Sequence, residues 1–141
     1  MLDIDHFKRI NDQHGHAVGD GVLQELCRRI RLRVRRSDVF CRLGGEEFMV
    51  LCPNTDGVQA YSLAVDLWEV LRSTPMDGVG TVTASFGVAS WRVDEGVDSL
   101  LLRADSAVYA AKQAGRDRVE FRASRCRWHQ AGAGRVDVSI W

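Results

Sequence analysis

Gly44-Gly45-Glu46-Glu47-Phe48 separates two apolar runs, residues 39–43 and 48–51, that have the composition of β-strands. Glycine adopts positive φ angles without steric cost, so a glycine pair between two such runs predicts a tight β-hairpin. The carboxylates of Glu46 and Glu47 follow the glycines directly and would stand at the hairpin tip. Such a tip presents charge to a ligand, and the glycines leave room for that ligand to approach the backbone. The stretch therefore predicts two strands and a candidate site.

The size and charge of the chain restrict its class. Its 141 residues fit one domain with one core, and its 45% hydrophobic and 27% charged content is typical of soluble globular proteins. Lysine plus arginine equals aspartate plus glutamate at 19 each, so the net charge favours no particular partner. No apolar run reaches the roughly 18 residues of a membrane span. The first residues lack the basic start and apolar core of a signal peptide.

The cysteines indicate the redox environment. Cys27, Cys41, Cys52 and Cys126 lie far apart and form no CxxC pair. This spacing favours reduced, mostly buried thiols in a cytoplasmic protein over a disulfide scaffold or a zinc site.

The first part of the chain predicts a strand followed by two helices. Residues 1–4 resemble the end of a strand, and Asp5 can cap a short helix that ends near Gln13. Asp20 can cap the next helix. Within that helix, apolar side chains recur at helical spacing, at Leu23, Leu26, Cys27, Ile30 and Val34.

The hairpin is predicted over residues 39–52, and an amphipathic helix follows it. Residues 81–91 predict a long strand, Asp98 can cap a third long helix that Gly115 ends, and residues 118–122 predict a last strand. Hairpins mixed with helices, without strict β-α-β alternation, favour an α+β fold with a largely antiparallel sheet flanked by helices. We therefore expect a domain at residues 1–122 and a C-terminal extension at 123–141, in which residues 135–141 alternate like a strand.

Two aspartates close the first strand. Carboxylates at a strand end are common ligands of hard cations such as Mg²⁺. For Asp5 we favour the structural interpretation, a turn former or helix cap. Asp3 becomes a metal-ligand candidate if a second carboxylate converges on it, and Glu46 is the obvious one.

A polar set follows Asp3, with two interpretations. Lys8, Asn11, His16 and Asp20 lie close together in sequence. An amide and a carboxylate offer the donor and acceptors that suit a base edge such as that of guanine. Alternatively, Asn11, His16 and Asp20 are loop and cap residues.

Two basic sets are also present. Six arginines occur in residues 28–36, and the apolar spacing favours the solvated face of a helix over a nucleic-acid surface. Lys112 and Arg116 lie near a predicted helix C-terminus, where cations complement the helix dipole. They would equally suit a polyphosphate, since arginine offers a forked donor geometry.

Taken together, these residues resemble the GGDEF domain family, the diguanylate cyclases. Five motifs occur in the family's order and spacing, and the resemblance covers residues 2 to about 121. They are a DIDxFKxIND-like run at 3–12, GHxxGD at 15–20, the GGEEF signature at 44–48, an S-[IF]-G-[VI]-A strand at 85–89 and ADxAxYxAKxxGR at 104–116.

The resemblance implies a nucleotidyl-cyclase or palm-like (ferredoxin-like) fold. It implies condensation of two GTP into cyclic di-GMP with release of pyrophosphate. Each half-site would hold one GTP on Mg²⁺ (or Mn²⁺), so the active unit would be a homodimer, with no nucleic acid as partner.

The resemblance also implies roles for single residues. Asp3 and Glu46 would ligate the metal by side chain and Ile4 by its carbonyl, with Glu47 in support. Glu46 would accept the proton of the ribose 3′-hydroxyl. The remaining positions would serve the substrate: Asn11 and Asp20 read guanine, His16 and Gly45 lie against the nucleotide, and Lys8, Lys112 and Arg116 neutralise phosphate charge.

One further motif lies upstream of the signature. Arg35-Arg36-Ser37-Asp38 matches the family's RxxD site, at the correct spacing to Gly44. By resemblance, Arg35 and Asp38 would bind cyclic di-GMP and inhibit the enzyme.

The N-terminus departs from the family pattern. The family's domain begins earlier, with a helix and a longer first strand, so we expect a truncated domain with exposed sheet edges and apolar surface. Two other functions compete with catalysis: a non-catalytic module that binds GTP or cyclic di-GMP, and a nucleic-acid binder that uses the arginine helix.

Overall fold

The computed structural model describes residues 1–122, which form five strands and four helices. The predicted extension and its strand pattern at 135–141 lie outside the described residues. The elements, in chain order, are β1 Leu2–Ile4, α1 Phe7–His14, α2 His16–Arg31, β2 Val39–Gly44, β3 Glu47–Leu51, α3 Gly57–Ser73, β4 Ala84–Ala89, α4 Val97–Gln113 and β5 Arg118–Arg122. The predicted α+β fold is confirmed, and so are the hairpin and the last strand.

The described strands form one sheet in the order β2-β3-β1-β4-β5. β1 is central and pairs antiparallel with both β3 and β4. β2 and β3 are also antiparallel, whereas β4 and β5 are parallel because α4 carries the chain back between them. β1 has only three residues, yet both of its edges are paired, and Met1 exchanges two further hydrogen bonds with Gly87.

An apolar cavity of about 420 Å³ lies between the sheet and helices α3 and α4. Leu2, Met49, Leu63 and Leu101 are among the residues that line it.

The predicted N-terminal caps are wrong at Asp5, Asp20 and Asp98. α1 begins after His6, and Asp5 is buried with its carboxylate bound to Ser85 and Thr83 of the β4 region. α2 begins at His16, directly after Gly15 at φ 85°, which places Asp20 inside the helix. α4 begins after Gly96, so Asp98 lies in its first turn, where a carboxylate still suits the helix dipole.

The core joins the sheet to the helices. Ile4, Phe48, Leu26, Ile30 and Leu71 are fully buried. α4 lies directly on β4, since a Cβ at Gly87 would stand 2.3 Å from the carbonyl oxygen of Ala104. Strand β4 is shorter than the predicted 81–91 and holds β1 on one side and β5 on the other.

The arginine run is not uniformly solvated. Arg28 and Arg31 are exposed as predicted, but Arg29 is only 6% exposed. Its guanidinium donates to the carbonyl oxygens of Thr74 and Pro75 beyond the end of α3. Among residues 1–122, no helix is long and apolar enough to cross a membrane.

Candidate active site at the centre of the sheet

Asp3 and Lys112 form the centre of the site. Asp3 lies on the central strand and is 5% exposed, and Lys112 Nζ lies 2.6 Å from Asp3 Oδ2. Burial raises the pKa of the Asp3 carboxyl, and Lys112 and then Arg116 partly oppose this rise through their positive charge. A buried carboxylate needs a cation beside it to stay ionised, so this position is suited to bind cations.

The β1–β3 pairing brings the hairpin to Asp3. Asp3 is the register partner of Glu47, and the backbone N–H of Ile4 donates to the carbonyl oxygen of Glu46 at 3.2 Å. All four predicted metal-site residues, Asp3, Ile4, Glu46 and Glu47, therefore meet at the same edge of two neighbouring strands. The carboxylate-bearing residues of the hairpin are accessible, since Glu46 is partly exposed and Glu47 exposed.

The hairpin tip itself is built as predicted. Gly45 has φ 51°, the left-handed region that favours glycine, and a Cβ there would meet nothing within 4 Å. Arg42 Nε donates to the carbonyl oxygen of Gly45 at 2.9 Å and braces the turn. The space next to Gly45 is open to a ligand.

The donor set at this edge fits a hard divalent cation. Asp3 and Glu46 offer carboxylates and Ile4 a carbonyl, which are all oxygen ligands. Within residues 1–122, no group of three or more His, Cys, Asp or Glu side chains could hold a metal ion alone. Mg²⁺ is commonly bound by one or two carboxylates together with substrate phosphates, so two carboxylates are sufficient for such a site.

The predicted guanine-binding residues lie on the first two helices. The side chain of Asn11 packs against α2 so closely that a Cβ at Gly19 would stand 1.8 Å from Asn11 Oδ1. His16 and Asp20 are exposed and lie four residues apart on α2, which places them on one face. Lys8 is exposed on α1. Asn11 therefore lies against Gly19, the residue directly before Asp20.

Two of the three predicted phosphate-binding residues, Lys112 and Arg116, lie at the end of α4. Lys112 lies in its last turn, and Arg116 follows in a tight turn with φ 64°. Asp117 in this turn is bound by two groups that the sequence did not single out for it, the carboxylate of Asp5 and the indole of Trp68. Those partners are 112 and 49 residues away in sequence, so no local pattern indicates them.

Arg35 and Asp38 form a separate turn at the other end of β2 from the hairpin tip. The backbone N–H of Arg35 donates to Asp38 Oδ2 at 2.8 Å, and the backbone N–H of Asp38 donates to the carbonyl oxygen of Arg35 at 3.1 Å. The Arg35 residue is exposed. Asp38 Oδ1 is buried and has no hydrogen-bond partner within the described residues.

Comparison with known proteins identifies one family. The family model described as "Diguanylate cyclase, GGDEF domain" matches residues 1–118. The chain is 42% identical over 123 residues to the diguanylate cyclase DgcP of Pseudomonas aeruginosa, which covers 85% of this chain and 18% of that protein. The chain spans between 18% and 33% of the length of three curated relatives that it matches.

Solved structures agree in fold. The active GGEEF domain of a diguanylate cyclase from Vibrio cholerae superposes with a TM-score of 0.82 at 34% identity, covering 87% of this chain and 81% of that one. The GGDEF domain of DgcB from Caulobacter crescentus, solved in complex with c-di-GMP, also gives a TM-score of 0.82 at 32% identity, covering 85% and 74%.

Proposed function

Because this chain belongs to the GGDEF family of diguanylate cyclases, we propose that it condenses two GTP molecules into cyclic di-GMP and releases pyrophosphate. The observation that carries this proposal is the meeting of Asp3, the Glu46 backbone and Lys112 at the centre of the sheet. One GTP would be held by each of two chains, so catalysis would need a homodimer. The reduced cysteines predicted from the sequence favour a cytoplasmic location, where GTP is available.

Glu46 would act as the general base. It accepts the proton of the ribose 3′-hydroxyl while the oxygen of that hydroxyl bonds to the α-phosphorus of the second GTP. The bond between the α-phosphorus and the bridging oxygen then breaks, and pyrophosphate leaves. Two such transfers close the ring. Glu46 is suited to this role because it is partly exposed at the hairpin tip.

The other residues would bind and orient the substrate. Mg²⁺ or Mn²⁺, when held by Asp3, Glu46 and the Ile4 carbonyl with Glu47 in support, would lower the pKa of the attacking hydroxyl and neutralise phosphate charge. Lys8, Lys112 and Arg116 add positive charge for the phosphates. Asn11 and Asp20 hydrogen-bond the guanine edge, with His16 and Gly45 against the nucleotide.

The turn at Arg35 and Asp38 supports a second proposed role, product inhibition. Asp38 closes the turn through the Arg35 backbone, which leaves the Arg35 guanidinium available for guanine or phosphate. The buried Oδ1 of Asp38 lacks a partner within residues 1–122 and would accept a donor from a bound base. Cyclic di-GMP would therefore bind here.

The test compares single variants of this chain with GTP and Mg²⁺, over a series of protein concentrations because the active unit is a dimer. Chromatography measures cyclic di-GMP. We expect Glu46→Gln to lower the rate by about 100-fold or more. Asp98→Asn, which changes an exposed carboxylate in the first turn of α4, at the opposite end of that helix from Lys112, should retain the rate. Arg35→Ala should abolish binding of cyclic di-GMP that Glu46→Gln retains.

Two results would contradict these roles. Equal rates for Glu46→Gln and Asp98→Asn would remove Glu46 from the chemistry. A wild-type chain that binds cyclic di-GMP but forms none at any protein concentration would be a non-catalytic binding module.

A further inference from the structure

We propose that Trp68, Asp117 and Asp5 form a positioning network that fixes Arg116 for binding the triphosphate. This inference rests on the phosphate-binding role proposed for Arg116. None of the three network residues is assigned to metal, base or phosphate in that mechanism, so their proposed effect acts through the turn that carries Arg116.

The turn after α4 has an unfavourable backbone conformation. Gly115, Arg116 and Asp117 have φ angles of 112°, 64° and 47°. Positive φ is uncommon for residues other than glycine, and each such residue costs about 1–3 kcal/mol. Two consecutive residues of this kind persist only where the surrounding structure holds them.

The first hold on the turn comes from Asp5. Its carboxylate is 4% exposed and accepts hydrogen bonds from Ser85 Oγ at 2.7 Å, Thr83 Oγ1 at 2.8 Å and the backbone N–H of Asp117 at 3.0 Å. Three donors at one buried carboxylate fix its position. Asp5 lies two residues beyond Asp3, so its hydrogen bond fixes the turn relative to the strand end that carries the proposed metal ligand.

The second hold comes from helix α3. Trp68 Nε1 donates to Asp117 Oδ1 at 2.7 Å, and Arg72 Nη2 lies 3.6 Å from Asp117 Oδ2. The Arg72 guanidinium also lies 4.5 Å from the centre of the Trp68 ring. Asp117 is thus held through its backbone by the sheet and through its side chain by α3.

Arg116 is the residue that this arrangement places. Its backbone N–H donates to the carbonyl oxygen of Ala111 at 2.9 Å, one residue before Lys112, which binds Asp3. The positive charge of Arg116 also lies near enough to Asp3 to oppose, to a small extent, the rise that burial causes in the pKa of that carboxyl. Loss of the hydrogen bonds that hold Asp117 would let the Arg116 side chain move away from Asp3, while Lys112 and the proposed guanine-binding helices stay in place.

The experiment measures binding of GTP and of guanosine by competition with a fluorescent GTP analogue. Trp68→Phe removes the indole N–H but keeps an aromatic ring, and Trp91→Phe is the matched control at an exposed tryptophan. We expect Trp68→Phe to weaken GTP binding about fivefold, which corresponds to the loss of one ordinary hydrogen bond, and to leave guanosine binding unchanged. Asp117→Ala should lower the affinity for GTP further. Asp117→Asn suits positive φ and still accepts a hydrogen bond from Trp68, so this variant should keep most of the wild-type affinity.

A double variant separates positioning from general structural support. In an Arg116→Ala chain, Trp68→Phe should cause no additional loss of GTP affinity, because its effect passes through Arg116. An equal loss of GTP and guanosine, a full additional loss in the Arg116→Ala chain, or unchanged GTP affinity in Trp68→Phe would overturn the inference. If Arg116→Ala itself binds GTP normally, the proposed phosphate role of Arg116 fails instead, together with the network that depends on it.

Discussion

Gly19 is the residue on which the position of Asn11 depends. It is buried inside α2, where glycine is unfavourable for the helix, and the Asn11 amide occupies the space that a Cβ would fill. The glycine thus allows α1 and α2 to approach until Asn11 lies beside the residue that precedes Asp20. This contact supports the proposed guanine site.

Gly19→Ala tests this role against a matched glycine in the same helix. The new Cβ would stand 1.8 Å from Asn11 Oδ1 and displace that side chain, so GTP affinity should fall about tenfold, as for loss of a base contact. A Cβ at Gly21 meets nothing within 4 Å, so Gly21→Ala should keep GTP affinity and raise the free energy of unfolding by about 0.5–1 kcal/mol. Titration with GTP and urea unfolding measure both effects. Identical GTP affinities in the two variants would show that Asn11 does not need its present position.

For single residues, the sequence predicted the positions of the candidate metal ligands but not the buried residues that hold them in place. The positions of Asp3 and Glu46 could be predicted because each lies in or next to a strand signal, and their roles as metal ligands stay predictions. The local sequence predicts a turn or helix cap at Asp5, whereas the structure buries it against Thr83, Ser85 and Asp117, between 78 and 112 residues away. Such partners become visible only after the strands are ordered in the sheet.

Among the elements, α3 ends in an unusual way. Its last carbonyl groups lack partners within the helix, and the residue that follows it, Thr74, is extended. Arg29 of α2 supplies the missing donors to Leu71, Thr74 and Pro75 at 3.2, 2.6 and 3.1 Å, while Glu25 holds the guanidinium from the other side at 2.7 Å. One buried arginine therefore joins two helices by hydrogen bonds.

Arg29→Met should lower the free energy of unfolding by about 3 kcal/mol, because it leaves buried carbonyls and Glu25 without their donor. Arg31→Met, an exposed position two residues further on, should change it by no more than about 0.5 kcal/mol. Urea unfolding monitored by circular dichroism gives both values. Similar losses at the two positions would mean that the arginines of residues 28–36 stabilise the fold through their general charge and not through the hydrogen bonds of Arg29 to the end of α3.

The pattern of apolar residues predicted which elements exist, and local cap signals predicted their ends less well. Leu23, Leu26 and Ile30 correctly indicated α2, but the helix begins four residues before Asp20 because Gly15 alone separates it from α1. The parallel pairing of β4 with β5 has no local signal, since it follows from the path of α4 across the sheet. Arg29 could not be told from its neighbours in an arginine-rich run.

Across the whole molecule, the end of the sheet opposite Asp3 is held by a second charged cluster. Glu95 precedes α4, and its side chain is 5% exposed. It accepts from Arg103 Nε at 2.7 Å and from Ser99 Oγ at 3.1 Å, and Arg103 also donates to the carbonyl oxygen of Ser90 at 2.6 Å. Arg103 lowers the pKa of Glu95 to about 2, with smaller contributions from Ser99 and the Arg92 backbone.

This cluster predicts an acid-dependent loss of stability. The pKa of Glu95 lies near 2 in the folded chain and at 4.5 in the reference state, so its contribution is complete above about pH 4.5 and is lost as the pH falls from there toward 2. Glu95→Gln should lower Tm at pH 7, and the difference from wild type should shrink as the pH falls to 3. Asp94→Asn, which removes the charge of the adjacent exposed residue at φ 65°, should follow the wild-type curve. A Glu95→Gln deficit that stays constant between pH 7 and pH 3 would contradict this assignment.

The ion pair between Asp3 and Lys112 spans 109 residues of sequence. Lys112 is synthesised 109 residues after Asp3, which takes roughly 5 to 20 s at bacterial and eukaryotic synthesis rates. The strand that carries Asp3 is also the middle strand of the sheet, and both of its neighbours are made after it. A nascent chain therefore contains Asp3 long before it contains Lys112. The Asp3 carboxylate can be buried beside this cation only when synthesis of the domain is nearly complete.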